Sequence, residues 1–216
     1  MVNGRMLTVM TEQAATRTER KERTRAAILD GTLALAAERG FAALSLREIA
    51  RSAGIVPTAF YRHFASLDDL AAALVDEGVT ALRLALRQVR RRTDTGLADT
   101  VRFVFDQAEA KHALFGFLTR ERHGGSAALR RNIAHELQMI VRELVTDMSR
   151  LPALDNWSPR DLEIAAELIV GTVADGVAAD VAAQTPRERL AIREATVQKI
   201  RLIALGMDNW WPPGHR

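Results

Sequence analysis

LSLREIARSAGIVPTAFYRHFASLDDL, residues 44–70, decides the reading of this chain, because its caps, turn and apolar positions fall in one register. Ser45 and Glu48 form an S-x-x-E box, in which hydroxyl and carboxylate satisfy backbone N–H groups that have no partner inside a helix. Leu46, Ile49 and Ala50 give the helix that follows one apolar face and leave Arg47 and Arg51 outward. Gly54 stops it, since glycine takes positive φ at little cost. A second helix is predicted from near Val56, with Pro57 in a first turn whose N–H groups lack acceptors anyway. Ile55, Phe60 and Phe64 are its core positions; Pro57, Thr58, Tyr61 and Arg62 face out. Ser66 and Asp69 open a third, longer helix. Two short helices about a tight turn are the arrangement that sets one helix in the major groove of DNA.

Thr58 and Tyr61 lie three apart on one face near a helix N-terminus, which suits backbone phosphates. Arg47 and Arg62 can each donate two hydrogen bonds to guanine and are the candidates for base readout, with a solvated surface as the alternative. Pro57 and Ala59 are placed to meet a thymine methyl, though Ala59 fits a buried position equally well.

From about Thr24 to Val75 this pattern resembles the amino-terminal DNA-binding domain of the TetR family of bacterial transcriptional regulators. A helix from Arg25 to Arg39 precedes the pair, with Ile28, Leu29, Thr32, Leu33 and Leu35 to Ala37 as its buried stripe, and Gly40-Phe41 continues the likeness. The family's T-x-x-Y-x-H-F run falls on Thr58, Tyr61, His63 and Phe64, which implies phosphate contacts from the hydroxyls and the imidazole; Ser45 joins this DNA-binding set. Where many members carry a lysine three residues after H-F, this chain has Leu67, followed by Asp68 and Asp69. Within the family, V-P-T-A-F-Y-R-H-F with a following D-D-L, the segment Leu118 to Arg122, Gly-Gly-Ser-Ala-Ala and the H-E-L-Q of His135 to Gln138 are similar to the repressors of unsaturated fatty acid synthesis, the DesT/FabR type. That likeness implies a fatty acid synthesis or desaturation repressor whose effector is a long-chain acyl-CoA.

Composition agrees with an all-α fold. The 216 residues are 48% hydrophobic and only 5% aromatic, dominated by alanine and leucine, with almost no alternation of period two. Such a chain builds a sizeable core. There is no cysteine, which removes disulfides and thiolate metal sites and fits a reducing cytoplasm. No run approaches a membrane span or a signal core. The net charge is +3, and residues 1–66 hold ten Lys/Arg against six Asp/Glu, so the positive excess sits on the proposed DNA-binding end. The expected organisation is a flexible tail over 1–18, a helix-turn-helix domain over 19–66, a helical ligand-binding and dimerisation domain over 67–208, and a tail over 209–216. Helices are expected from Ser66 through the basic stretch Arg87 to Arg92, from Gly96 to about Leu114, on to Arg122, from Ser126 to Ser149, from Asp161 to Ala183 and from Pro186 to Met207.

In the larger domain, the resemblance implies a cavity among central helices. Phe103, Leu114, Phe117, Leu118, Ile133, Leu137, Ile140 and Leu168 are the candidate apolar lining, although most such residues are simply core. Arg120, Arg122, Arg130 and Arg131 flank the expected mouth, where they fit the phosphates of CoA or an ordinary solvated surface. GTVADGVAADVAA puts Gly171, Asp175, Ala178 and Ala182 along one helix face; in the family the last two helices form a four-helix dimer interface, and packing within the subunit is the alternative. A homodimer reads two half-sites, so the double-stranded DNA operator should be palindromic. Two other readings compete. A TetR-type repressor for a drug-like molecule differs only in the pocket. A metal-dependent helical-bundle enzyme would draw on Glu109 and His112, an E-x-x-H spacing that lacks its necessary second copy. No catalytic residue, metal site or cofactor is expected.

Overall fold

The computed structural model describes residues 3–90 and 96–210. Every regular element among them is helical: α1 Asn3–Arg39, α2 Leu46–Ser52, α3 Pro57–Phe60, α4 Leu67–Arg90, α5 Leu97–Ala110, α6 His112–Gly124, α7 Ala127–Met148, α8 Pro159–Ala182 and α9 Pro186–Asp208. Single 3-10 turns lie at Phe41–Ala43 and Pro152–Leu154. None of these helices is long and apolar enough to cross a membrane.

The chain divides into two compact units, the first ending at Leu74 and the second beginning at Val75. The sequence placed this boundary at 66/67. The difference follows from packing: Leu70, Ala71 and Leu74, in the first two turns of α4, are buried and complete the core of the first unit. A second difference concerns the expected tail, because α1 is helical from Asn3. Residues 5–30 contain neither glycine nor proline, and a run of good helix formers stays helical without an apolar period. The described part of α4 ends at Arg90; Arg91 and Arg92 lie outside the described residues.

The core of the second unit gathers Val101, Val104, Phe105 and Ala108 of α5, Phe115 of α6, Val141 and Met148 of α7, and apolar residues of α8 and α9. The cap positions follow the expected chemistry: Ser126, Ser158 and Thr185 each accept a backbone N–H at the start of α7, α8 and α9. α8 starts two residues earlier than expected because Pro159 occupies its first turn behind Ser158. α5 and α6 part at Lys111 rather than near Leu114, where φ −118° and ψ 43° leave the helical region. That break has a consequence. Glu109 and His112 fall on different helices and share no face, so the E-x-x-H reading loses its geometry; Glu109 instead meets Arg193, at 3.0 Å.

Candidate DNA-binding surface and effector cleft

Ser45 accepts the Glu48 N–H, and the Glu48 carboxylate accepts from both the backbone N–H and the hydroxyl of Ser45, at 2.9 and 2.7 Å. These bonds, with the Arg39 guanidinium at 2.9 Å, lower the Glu48 pKa to about 2. α2 closes on a Schellman motif: Gly54 takes φ +67°, its N–H reaches the Arg51 carbonyl, and the Ile55 N–H reaches that of Ala50. Gly31 of α1 faces Ser52 so closely that any Cβ would collide with the serine hydroxyl, which fixes how tightly α2 sits on α1.

α3 carries four residues, and the chain continues in turns through His63, with Arg62 and His63 N–H groups bonded to Ala59 and Phe60 carbonyls. Phe60 and Phe64 are buried, their rings 5.7 Å apart, and the Arg25 guanidinium lies 4.5 Å over the Phe64 ring. Pro57, Thr58, Tyr61 and Arg62 are exposed, as is Arg47 on α2, while Ala59 and His63 are half-buried. Tyr61 is 61% exposed, an unusual position for a large aromatic ring unless a partner covers it. His63 buries its Nδ1 without a hydrogen-bond partner; burial first, then Lys21, Arg25 and Arg62, lowers its pKa below the ordinary imidazole value.

In the second unit an open cleft of about 700 Å³ lies among α6, α7 and α8. Its size is ordinary for a small-molecule site. Arg122 and His123 at the end of α6 and Arg130 and Arg131 in the first turns of α7 contribute cations. Ala134, Leu137 and Val141 of α7 and Val170, Gly171 and Ala174 of α8 contribute apolar surface, with Gln138 and Glu167 as polar neighbours. Arg122 is held by Asp175 at 3.1 Å, and Arg130 donates to the Gly125 carbonyl.

Of the expected lining, Leu137, Arg122, Arg130 and Arg131 reach this cleft. Leu114, Phe117, Ile133 and Ile140 are buried but do not line it, and Phe103 is half-buried elsewhere. Leu118 packs against Gly78 of α4, where a Cβ would collide with its side chain. Arg120 is exposed, and Leu168, 54% exposed, lies outside the cleft. The small-residue face of α8 meets several surroundings within the subunit. Gly171 lines the cleft, Asp175 pairs with Arg122, Ala178 is half-buried and Ala182 exposed. The close helix approach occurs within the subunit, at Gly176, where a Cβ would meet Thr196 Oγ1 of α9 at 2.5 Å. What α8 and α9 do expose is larger: Ile164 and Leu168, Leu202 and Leu205. His123, Glu167 and Val170 are cleft residues that no motif announced, while Gln138 closes the H-E-L-Q run and Ala174 lies within the small-residue stretch of α8.

Residues 28–74 match the model of bacterial regulatory proteins of the tetR family. That match identifies a TetR-type domain over those residues, within an all-helical fold. Solved structures of similar fold include a protein described as a TetR-family transcriptional regulator from Syntrophomonas wolfei, with TM-score 0.73 and 17% identity over 87% of this chain and 97% of that one. A transcriptional regulator from Rhodococcus sp. Rha1 gives 0.64 and 25% over 89% and 99%. The transcriptional regulator FadR from Bacillus subtilis in complex with stearoyl-CoA gives 0.66 and 17% over 80% and 95%. The match over 28–74 is to a regulatory-protein domain, which favours the regulator reading over the enzyme reading.

Proposed function

We propose that this TetR-type regulator is a homodimeric repressor of fatty acid synthesis or desaturation genes, whose affinity for a palindromic operator changes when a long-chain acyl-CoA binds, in the manner of the DesT/FabR type. The observation that carries the effector reading is the cleft among α6, α7 and α8, in which Arg122, His123, Arg130 and Arg131 stand beside the apolar wall of Leu137, Val141 and Val170. An amphipathic ligand with phosphates at one end and a hydrocarbon chain at the other matches that pairing. The FadR structure, which holds stearoyl-CoA in a similar fold, supports the same ligand class. Thr58, Tyr61 and Arg62 are the groups that meet DNA, two of them positioning the helix and the arginine reading a base edge.

An effector shifts the regulator only through unequal affinity for its DNA-competent and DNA-incompetent states. The test is calorimetry of the dimer with acyl-CoA thioesters of increasing chain length, run beside an operator gel-shift. Each methylene that enters the cleft contributes up to about 0.8 kcal/mol, so affinity should climb with length and exceed that of free CoA. Oleoyl-CoA and stearoyl-CoA should differ in their effect on operator binding. If neither readout depends on chain length or unsaturation, the acyl-CoA reading fails and a drug-like effector replaces it.

A further inference from the structure

The buried stripe of α1 does not end where its packing ends. Ile28, Thr32 and Ala36 are buried along one face. At helical spacing that same face continues toward the N-terminus as Arg25, Lys21 and Arg17, four residues apart each time. Glu19 projects from the far side, and Glu22 lies to one edge. Arg17 and Lys21 are exposed, and Arg25 is half-buried against the Phe64 ring, 4.5 Å from its centroid. None of the three makes an ion pair among the described residues.

The row also sits beside the recognition turn. Lys21 and Arg25 act electrostatically on His63, as does Arg62, and the charges bearing on that half-buried imidazole are all positive. The His63 Nδ1 has no hydrogen-bond partner. Like charges gathered without a counter-ion repel one another, and an anion laid along them removes that repulsion.

We infer that Arg17, Lys21 and Arg25 form a track on α1 that binds the phosphodiester backbone of double-stranded DNA beside the bases met by the recognition turn. This rests on the DNA-binding reading of α2 and α3 and extends the contact to a helix outside that pair. From Arg17 to Arg25 the helix rises about 12 Å at about 1.5 Å per residue. That length spans three to four phosphates of one strand at about 3.4 Å per step along the DNA axis. Such contacts carry no base information. They add affinity and salt dependence equally for every sequence.

The test measures fluorescence anisotropy of a labelled 30-base-pair duplex of mixed sequence, titrated with the full-length protein between about 50 and 200 mM KCl, the range over which phosphate contacts dominate the salt response. Arg17→Gln and Lys21→Gln should each flatten the slope of log affinity against log salt by about 0.9 per chain engaged, and the double variant by about twice that. Lys21→Arg should restore the wild-type slope. Arg187→Gln, an equal charge loss on exposed α9, should leave it unchanged. Circular dichroism melts check that the variants remain folded. Equal slopes for wild type and the α1 variants, with binding retained, would overturn the track and leave the recognition turn as the DNA contact. A slope reduced as much by Arg187→Gln would also overturn it, as an effect of net charge alone. A wild-type protein that binds no duplex at any of these salt concentrations would remove the track together with the reading on which it rests.

Discussion

Arg193 Nε of α9 donates to Asp180 Oδ1 of α8 at 2.7 Å, and Asp180 is almost wholly buried, its side chain only 4% exposed. The same guanidinium reaches Glu109 of α5 at 3.0 Å and lies 5.5 Å from the Phe105 ring centroid, so one side chain ties three helices together. The Asp180 hydrogen bond, opposed by burial and helped by Glu109, raises the Arg193 pKa above its ordinary value. Arg193→Met strands a buried carboxylate, which should destabilise the second unit by about 3 kcal/mol. Arg193→Met combined with Asp180→Leu should recover much of that loss, since a buried pair is worth little more than well-packed apolar groups. Urea denaturation of the wild type and the two variants decides the matter, and a double variant as unstable as the single would sink it.

Glu48 offers a pH handle on the helix-turn-helix. Its folded pKa of about 2 lies below the ordinary carboxylate value of 4.5, chiefly because Ser45 hydrogen-bonds the carboxylate. The contribution is therefore complete above about pH 4.5 and disappears as pH falls toward 2. Glu48→Gln should remove that segment of the acid-unfolding curve. Ser45→Ala should cost about 1 kcal/mol at neutral pH through the lost cap. Thermal melts at stepped pH provide the check; an unaltered acid limb in Glu48→Gln would contradict the assignment.

Tyr61→Phe removes one exposed hydroxyl and should weaken binding equally for all operator variants while leaving helicity intact. Arg62→Ala should instead relax preference at one base pair, worth about 1–3 kcal/mol of discrimination. A binding panel over single-base operator variants separates the two. A uniform loss from Arg62→Ala would assign that guanidinium to the backbone.

The helix-turn-helix was legible because its signals are local: the Ser45 and Glu48 box, the turn at Gly54 and the proline in the next first turn each act within a few residues. The cleft was legible only at its charged end. Arg122, Arg130 and Arg131 stood out as cations near a Gly-Gly break, whereas buried Ile133 and Ile140 look the same in sequence as cleft-facing Leu137. Which apolar side of a buried helix faces a void depends on neighbours far along the chain. On α8, likewise, the sequence does not reveal which glycine meets a neighbouring helix, and it is Gly176 that lies against Thr196 of the same subunit.

His63 should link DNA binding to protons. Its pKa is lowered in the free protein, so the unfolded chain takes up a proton first, and stability falls as pH drops through the ordinary imidazole value of 6.5. A bound phosphate reverses the local field and favours the imidazolium. DNA affinity should therefore rise as pH falls from about 7.5 to 6, opposite in direction to stability. His63→Asn should flatten both dependences, and anisotropy beside thermal melts would read them separately. Parallel slopes in variant and wild type would exclude His63 from the contact.

The exposed leucines of the last two helices make dimerisation testable by a single charge. Leu168, Leu202 and Leu205 are 54%, 68% and 58% exposed on helices that pack against each other, and Ile164 of α8 is exposed as well. Exposed large apolar groups concentrated on two neighbouring helices mark a protein interface more often than solvent-facing surface. Burying each leucine contributes about 1.5–3 kcal/mol, so a symmetric contact counts every one twice. Leu202→Glu brings two carboxylates into that contact, where each must shed water without a partner. Light scattering after size exclusion should report a dimer for the wild type and a monomer for Leu202→Glu, with helicity preserved because the side chain is exposed in the subunit. The monomer should hold a single half-site but lose its advantage on a palindrome, since one chain engages only one half. If Leu202→Glu remains dimeric and grips the palindrome as before, the interface lies on another surface, and the apolar face of α8 and α9 needs a different partner.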